Sequence, residues 1–199
     1  MRSISLKSKR RSQDRKGVPI DWSRQVHFKI PIPRDEKQRL VALARYDILD
    51  TPPESNFDNV TALASHVCDT PVALMVLIDR DRQWFKSAVG VRLKETPREY
   101  AFCAYTIMQR QLFIISDATR DSRFAANPMV VSGPKFRFYA GVPLVTPDNR
   151  ALGTLCVIDT VRRTLTPAQK AGLITLSQLV MTQLELRRRL NKEKGAKGS

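Results

Sequence analysis

Apolar residues recur along this chain at two periods, and the switches between them mark out its elements. From residue 35 the run D-E-K-Q-R-L-V-A-L-A-R-Y sets Leu40, Leu43 and Ala44 at helical spacing. That helix must stop before D-T-P-P-E at 50–54, because a residue preceding proline is driven out of the helical region. A second helix is predicted over 57–68, with Val60, Leu63, Ala64 and Val67 on one face and Pro71 just beyond it. Residues 71–79 are almost unbroken apolar, as in a strand buried on both faces, and 82–88 reads as its hairpin partner across 79–81. Further strands are predicted over 112–116, 136–144 and 151–158, the last two joined by the turn-forming T-P-D-N-R.

Two stretches carry the chemistry of a capping box. In T-P-R-E at 96–99 and T-P-A-Q at 166–169, the threonine hydroxyl can accept the amide three residues on. The Glu or Gln reaches back to the threonine amide, and proline fills the first helical position, where no hydrogen bond is lost. The first box predicts a helix carrying Phe102, Cys103 and Tyr105. The second predicts a long helix to about residue 190 whose inward stripe is Leu173, Leu176, Val180 and Leu184. Helices, hairpin strands, a helix, more strands and a closing helix describe an α+β domain built on an antiparallel sheet.

Charge divides the chain more sharply than hydropathy does. Of the net +15, residues 1–34 hold +8 and residues 186–199 hold +5, which leaves the 35–185 body nearly neutral. We therefore read a basic, largely disordered arm over 1–34, a folded domain over 35–190 and a basic tail over 191–199. The run at 26–33 alternates like an extended segment, but its prolines confine it to an edge or a linker. Basic tails attract phosphates on nucleic acid or on an anionic membrane, through Lys7, Lys9, Arg10, Arg11, Arg15 and Lys16 at one end and Arg187, Arg188 and Arg189 at the other. The bland alternative is that they are solvated tails that aid solubility.

Cys68, Cys103 and Cys156 are scattered and form no C-x-x-C pair, which fits a reducing cytoplasm and argues against a disulfide framework or structural zinc. No apolar run approaches the length of about 20 residues that spans a bilayer. The N-terminus has no signal-peptide core, so the expected location is cytoplasmic. Phosphate-binding, dinucleotide-binding, nucleophile-elbow and zinc-protease motifs are all absent.

Three stretches then point to one family. They are I-D-R-D-R-Q-W-F-K-S-A-V-G-V-R-L-K-E-T-P-R-E-Y-A-F-C-A-Y-T at 78–106, F-Y-A-G-V-P-L at 138–144 and L-G-T-L-C-V-I-D at 152–159. Together they resemble the GAF domain, in the form that opens many bacterial signalling proteins ahead of a diguanylate cyclase or histidine kinase, here read as stand-alone. The resemblance implies a central antiparallel sheet of about five to six strands flanked by N- and C-terminal helices. It also implies a sensory and dimerising module rather than an enzyme, with a ligand pocket between the sheet and residues 90–133. The residues it directs there are Trp84, Phe85, Phe102, Cys103, Tyr105, Asp117, Arg123, Phe124, Phe138, Tyr139 and Cys156. For each of these the competing reading is plain core, and Asp117 and Arg123 could simply pair with each other or cap turns.

The same resemblance allows specific ligands to be weighed. Relatives commonly carry F-C-A-H-T where this chain has F-C-A-Y-T, so Tyr105 replaces an imidazole, though its phenol keeps a donor and an aromatic face. Bilin attachment usually needs a His beside the Cys, and Cys103 is followed by Ala104. Cyclic-nucleotide sites show Asn-Lys, then Phe and Asp-Glu, and the one Asn-Lys here is Asn191–Lys192 in the tail. Haem would have to rely on His27 or His66. None of the three cofactors fits. A GAF-fold free methionine sulfoxide reductase, using Cys103 and Cys156, is the enzymatic alternative. The reading adopted is a non-catalytic homodimer that binds a small molecule or signalling partner. Leu179, Leu186 and Leu190 extend its dimer seam, and a nucleic-acid- or anionic-surface-binding regulator is the alternative.

Overall fold

The computed structural model describes residues 29–197, so the basic arm with Lys7, Lys9, Arg10, Arg11, Arg15 and Lys16 lies outside the described residues. Residues 29–33 run as irregular chain into α1 (Glu36–Ala44), which α2 (Ser55–Cys68) follows. A hairpin of β1 (Val72–Ile78) and β2 (Arg82–Val89) leads to β3 (Glu95–Pro97) and a single 3-10 turn. Then come α3 (Cys103–Thr106), β4 (Phe113–Ile115), α4 (Pro128–Val131), the β5 (Phe138–Val145) and β6 (Ala151–Asp159) hairpin, and α5 (Pro167–Lys197). The six strands form one antiparallel sheet in the order β3-β2-β1-β6-β5-β4, so the predicted α+β class and strand number both hold. No helix among the described residues is long and apolar enough to cross a membrane.

Strand β1 lies between β2 and β6, and all seven of its residues are buried, as its unbroken apolar run requires. Alternation then sorts the core into two layers. Ala73, Met75 and Leu77 face a layer roofed by α1, α2 and α5, while Val72, Leu74, Val76 and Ile78 face a second layer under residues 102–136. Leu173, Leu176, Val180 and Leu184 of α5 are buried in the first layer, as the periodicity predicts.

The inward faces of α1 and α2 are rotated from the predicted ones. Arg39, Ala42 and Leu43 are buried in α1 while Ala44 is exposed. In α2, Phe57, Thr61 and Cys68 join Val60 and Ala64, and Leu63 is exposed. The two capping boxes part company. At 166–169 both reciprocal bonds form, Gln169 N to Thr166 Oγ1 at 3.2 Å and Thr166 N to Gln169 Oε1 at 3.0 Å. At 96–99 the threonine joins the sheet instead: Thr96 pairs with Gln83, and its hydroxyl accepts Gln83 Nε2 at 2.6 Å. Phe102, not Thr96, sits at the N-cap of α3.

Between Met75 and Val76 the β1–β2 register slips, pairing Met75 with Ser87 and Val76 with Phe85, so Lys86 is the extra residue of a β-bulge. The bulge sends two successive side chains to the helix layer. Lys86 Nζ donates to Glu54 at 2.6 Å, and Ser87 Oγ donates to Asp58 of α2 at 2.7 Å.

Arg39 is buried because Glu36 neutralises it: Nε and Nη2 each donate to a Glu36 oxygen at 2.8 Å, and Arg98 Nη1 reaches the same carboxylate at 2.6 Å. Burial raises the Glu36 pKa, but Arg39 and Arg98 outweigh it and hold the carboxyl at about 2. A folded value below the unfolded one adds stability above the unfolded pKa and removes it as pH falls toward the folded one. Glu36→Gln is therefore expected to cost about 2 kcal/mol at neutral pH, discounted for its partial exposure. It should also flatten the fall of the urea midpoint between about pH 5 and about pH 2, and a slope like that of the unaltered chain would contradict the assignment.

Candidate functional site

The second core layer is where most of the candidate pocket residues meet. Phe85 of β2, Phe102, Cys103, Tyr105, Phe124, Tyr139 of β5 and Cys156 of β6 all belong to it. Phe102 stacks on Phe124 at 4.3 Å between ring centroids and tilts against Tyr139 at 5.4 Å, while Tyr105 meets Phe124 edge-on at 4.7 Å. Trp84 and Phe138 do not join them. They face the helix layer on the other side of the sheet, because neighbouring strand residues point to opposite faces and Phe85 and Tyr139 already take this one.

Within this aromatic layer sits a buried polar island. Tyr139 OH donates to Cys103 Sγ at 3.4 Å and shares a 2.6 Å hydrogen bond with Thr106 Oγ1, while Thr154 Oγ1 donates to Cys103 Sγ at 3.1 Å. Cys156 Sγ lies 3.8 Å from Cys103 Sγ. Burial pushes the Tyr139 phenol and the Cys156 thiol well above their ordinary values. It opposes ionisation of Cys103 too, but the Cys156, Thr154 and Tyr139 donors bring that thiol below its ordinary value. Both cysteines are buried, so anything reaching them must part the 102–136 segment from the sheet. Asn127 latches that segment: its side chain accepts Met129 N at 2.9 Å and donates to Tyr100 O at 3.0 Å.

Asp117 and Arg123 lie outside the island and do not pair with each other. Asp117 Oδ1 accepts the Thr119 amide and hydroxyl, forming a turn at the sheet end. Arg123 pairs with Asp121 and covers the layer from outside, its guanidinium 5.0 Å from the Phe113 ring and 5.3 Å from that of Phe124. Thr106 and Thr154 are members of the island that reading by residue type passes over. Alternation in L-G-T-L-C puts Thr154 on the Cys156 face, and helical spacing puts Thr106 beside Cys103. His66 is exposed on α2, and no cluster of His, Cys, Asp and Glu fit to hold a metal occurs among the described residues.

A second constellation joins the sheet to α5. Lys86, its side chain wholly buried, donates to Thr51 Oγ1, Pro52 O and Glu54 Oε1 at 2.8, 2.7 and 2.6 Å, with Phe57 and Trp84 beside it. Arg187 of α5 donates Nε to the same Glu54 oxygen at 3.0 Å and Nη1 to the carbonyls of Tyr46 and Asp47. Tyr46 OH donates to Glu185, and Arg188 lies 5.1 Å over the Tyr46 ring while pairing with Glu185 at 3.1 Å. Burial works to raise the Glu54 pKa, and Lys86 and Arg187 together lower it. Of the three tail arginines taken as anion contacts, Arg187 and Arg188 are thus engaged within the domain and Arg189 is exposed, because α5 packs on the α1–α2 loop.

Comparison with known proteins adds to this geometry. A model of the GAF domain family matches residues 52–184. A Pseudomonas aeruginosa protein named a cyclic di-GMP phosphodiesterase is 38% identical over 162 residues, which is 81% of this chain but 28% of that protein. Among solved structures, the GAF domain of an Acinetobacter phosphoenolpyruvate-protein phosphotransferase superposes with a TM-score of 0.56 at 14% identity, covering 78% of this chain and 98% of the other. The free methionine-R-sulfoxide reductase of Neisseria meningitidis, in complex with its substrate, gives 0.56 at 14% identity, covering 82% and 98%. At these identities the structural likeness speaks for the fold alone.

Proposed function

The chain belongs to the GAF domain family, a family of sensory modules, and from that premise we propose a non-catalytic sensor that binds a small molecule or protein partner and signals through a dimer seam on α5. The observation that carries this reading is the double character of α5. Its inner stripe is core, while Leu179, Leu186 and Leu190 are exposed at 42, 49 and 46% on the outside of the same helix. Leu186 also lines a groove of about 490 Å³ with Met181, Val145 and Pro147. An exposed apolar stripe at spacings of seven and four is suited to a second copy.

Input reaches α5 through the bulge. Phe85 packs in the aromatic layer, and its neighbour Lys86 holds Glu54, which Arg187 also holds. A ligand that parts α3 and α4 from the sheet shifts Phe85, and the shift passes through Lys86 and Glu54 to α5 as a change in population between two packings. The 3.8 Å approach of Cys103 and Cys156 is also what a thiol-based methionine sulfoxide reductase would use. Both sulfurs are sealed from solvent, which favours the sensory reading.

Analytical ultracentrifugation tests the seam. The unaltered chain is expected to sediment as a dimer and Leu186→Glu to weaken dimerisation at least tenfold, with unchanged circular dichroism, since Leu186 is half exposed and is not one of the buried core residues. A monomeric unaltered chain, or a Leu186→Glu variant that dimerises as before, would count against the proposal.

A further inference from the structure

Three arginines converge on a surface cleft of about 500 Å³ at the end of the sheet, where the loops after β4 and β6 meet the approach to β5. Backbone hydrogen bonds join these segments, Ala118 N to Arg137 O at 2.6 Å and Arg137 N to Asp159 O at 2.8 Å, so the walls are a continuation of the sheet. Asp159 fixes the third wall. Its buried carboxylate accepts the Thr160 and Val161 amides and pairs with Arg163, which occupies that guanidinium and leaves Arg162 on the cleft.

The charges there do not balance. Arg120, Arg137 and Arg162 line the cleft with a single carboxylate, Asp117, whose Oδ1 is already taken by Thr119. Arg120 Nε and Arg162 Nη1 stand 3.6 and 3.7 Å from Asp117 Oδ2, beyond hydrogen-bond reach. Arg137 Nη1 donates to the Val130 and Phe136 carbonyls at 2.9 and 3.0 Å, and among the described residues no carboxylate pairs with it. Two positive charges are thus left over, carried by planar forks that match oxyanions, clustered on an open cleft rather than along a stripe that could follow a polymer backbone.

We infer that this cleft binds a phosphate monoester, with Arg120, Arg137 and Arg162 on the phosphate oxygens and the Thr160 hydroxyl as a further donor. A monoester carries close to two negative charges at neutral pH and so matches the surplus. The cleft is formed outside the aromatic layer and touches it through the bond from Arg137 to the Val130 carbonyl of α4.

Amide chemical shifts of the full chain, titrated with glycerol 3-phosphate, test the inference. Saturable shifts are expected at Ala118, Thr160 and Val161, with affinity at least tenfold weaker in Arg137→Gln. Because Arg137 also caps two carbonyls, the doubly substituted Arg120→Gln/Arg162→Gln variant, altered only at exposed side chains, must show the same loss. A parallel arm uses phosphatidylcholine vesicles with and without phosphatidic acid, whose headgroup is the same monoester. Binding to those vesicles alone, lost in both variants, would assign the site to a lipid headgroup. No saturable binding to either probe, or binding that both variants leave unchanged, overturns the inference.

Discussion

Glu54→Gln is expected to lower stability by about 3 kcal/mol, well above the cost of about 1 kcal/mol for Lys86→Met, although the two residues form one ion pair. The asymmetry follows from burial. Lys86 has no exposed side-chain surface, so removing its carboxylate leaves an uncompensated charge in the core between Phe57 and Trp84. Glu54 is about a third exposed and keeps Arg187, so it can turn to water when Lys86 becomes a methionine of similar shape. Glu54→Gln should also loosen α5, because Arg187 loses the carboxylate that anchors it. Urea unfolding gives the two costs, and hydrogen exchange over residues 185–190 gives the loosening. Equal costs, or unchanged exchange in Glu54→Gln, would remove the Glu54 linkage from the account.

Gly153→Ala should be at least as damaging, about 3 kcal/mol or more, and could prevent folding. A methyl group built on Gly153 would stand 1.9 Å from Val76 O and 2.8 Å from Leu77 Cα. Both neighbours are backbone atoms of β1, the strand between β2 and β6, and neither can rotate out of the way. Only separation of β1 from β6 would make room, at the cost of their shared ladder. Thermal unfolding is the direct check, and a midpoint within a few degrees of the unaltered chain would show that the strands can part cheaply.

Most of this fold is legible in the chain, for reasons that differ by element. β1 reads clearly because burial on both faces leaves no polar residue between 72 and 78. α5 reads clearly because a working capping box precedes a periodic stripe. T-P-R-E carries the same local chemistry as T-P-A-Q and yet does not cap α3. Its Thr96 and Pro97 are drawn into the sheet edge beside Gln83 and Arg82, a pairing that the local sequence does not announce. The resemblance directs Trp84 and Phe138 to the pocket, but alternation against Phe85 and Tyr139 decides the face. Gly153, part of the quoted L-G-T-L-C-V-I-D, has its physical cause in the close approach to Val76.

The parts least visible in sequence are those assembled across long separations. Lys86 meets Glu54 from 32 residues away and Arg98 meets Glu36 from 62 away, so neither buried pair shows as a local pattern. The surplus-positive cleft is likewise built from three separate segments, and the nearly neutral composition of the 35–185 body conceals it.

Native mass spectrometry of the chain purified from its own host, set beside its denatured mass, tests the central claim most directly. The sensory account predicts a species at twice the 22.6 kDa chain mass, carrying a non-covalent passenger that denaturation releases. A bare monomer at micromolar concentration, with no added mass, would contradict both the α5 seam and the sensing site beneath α3 and α4.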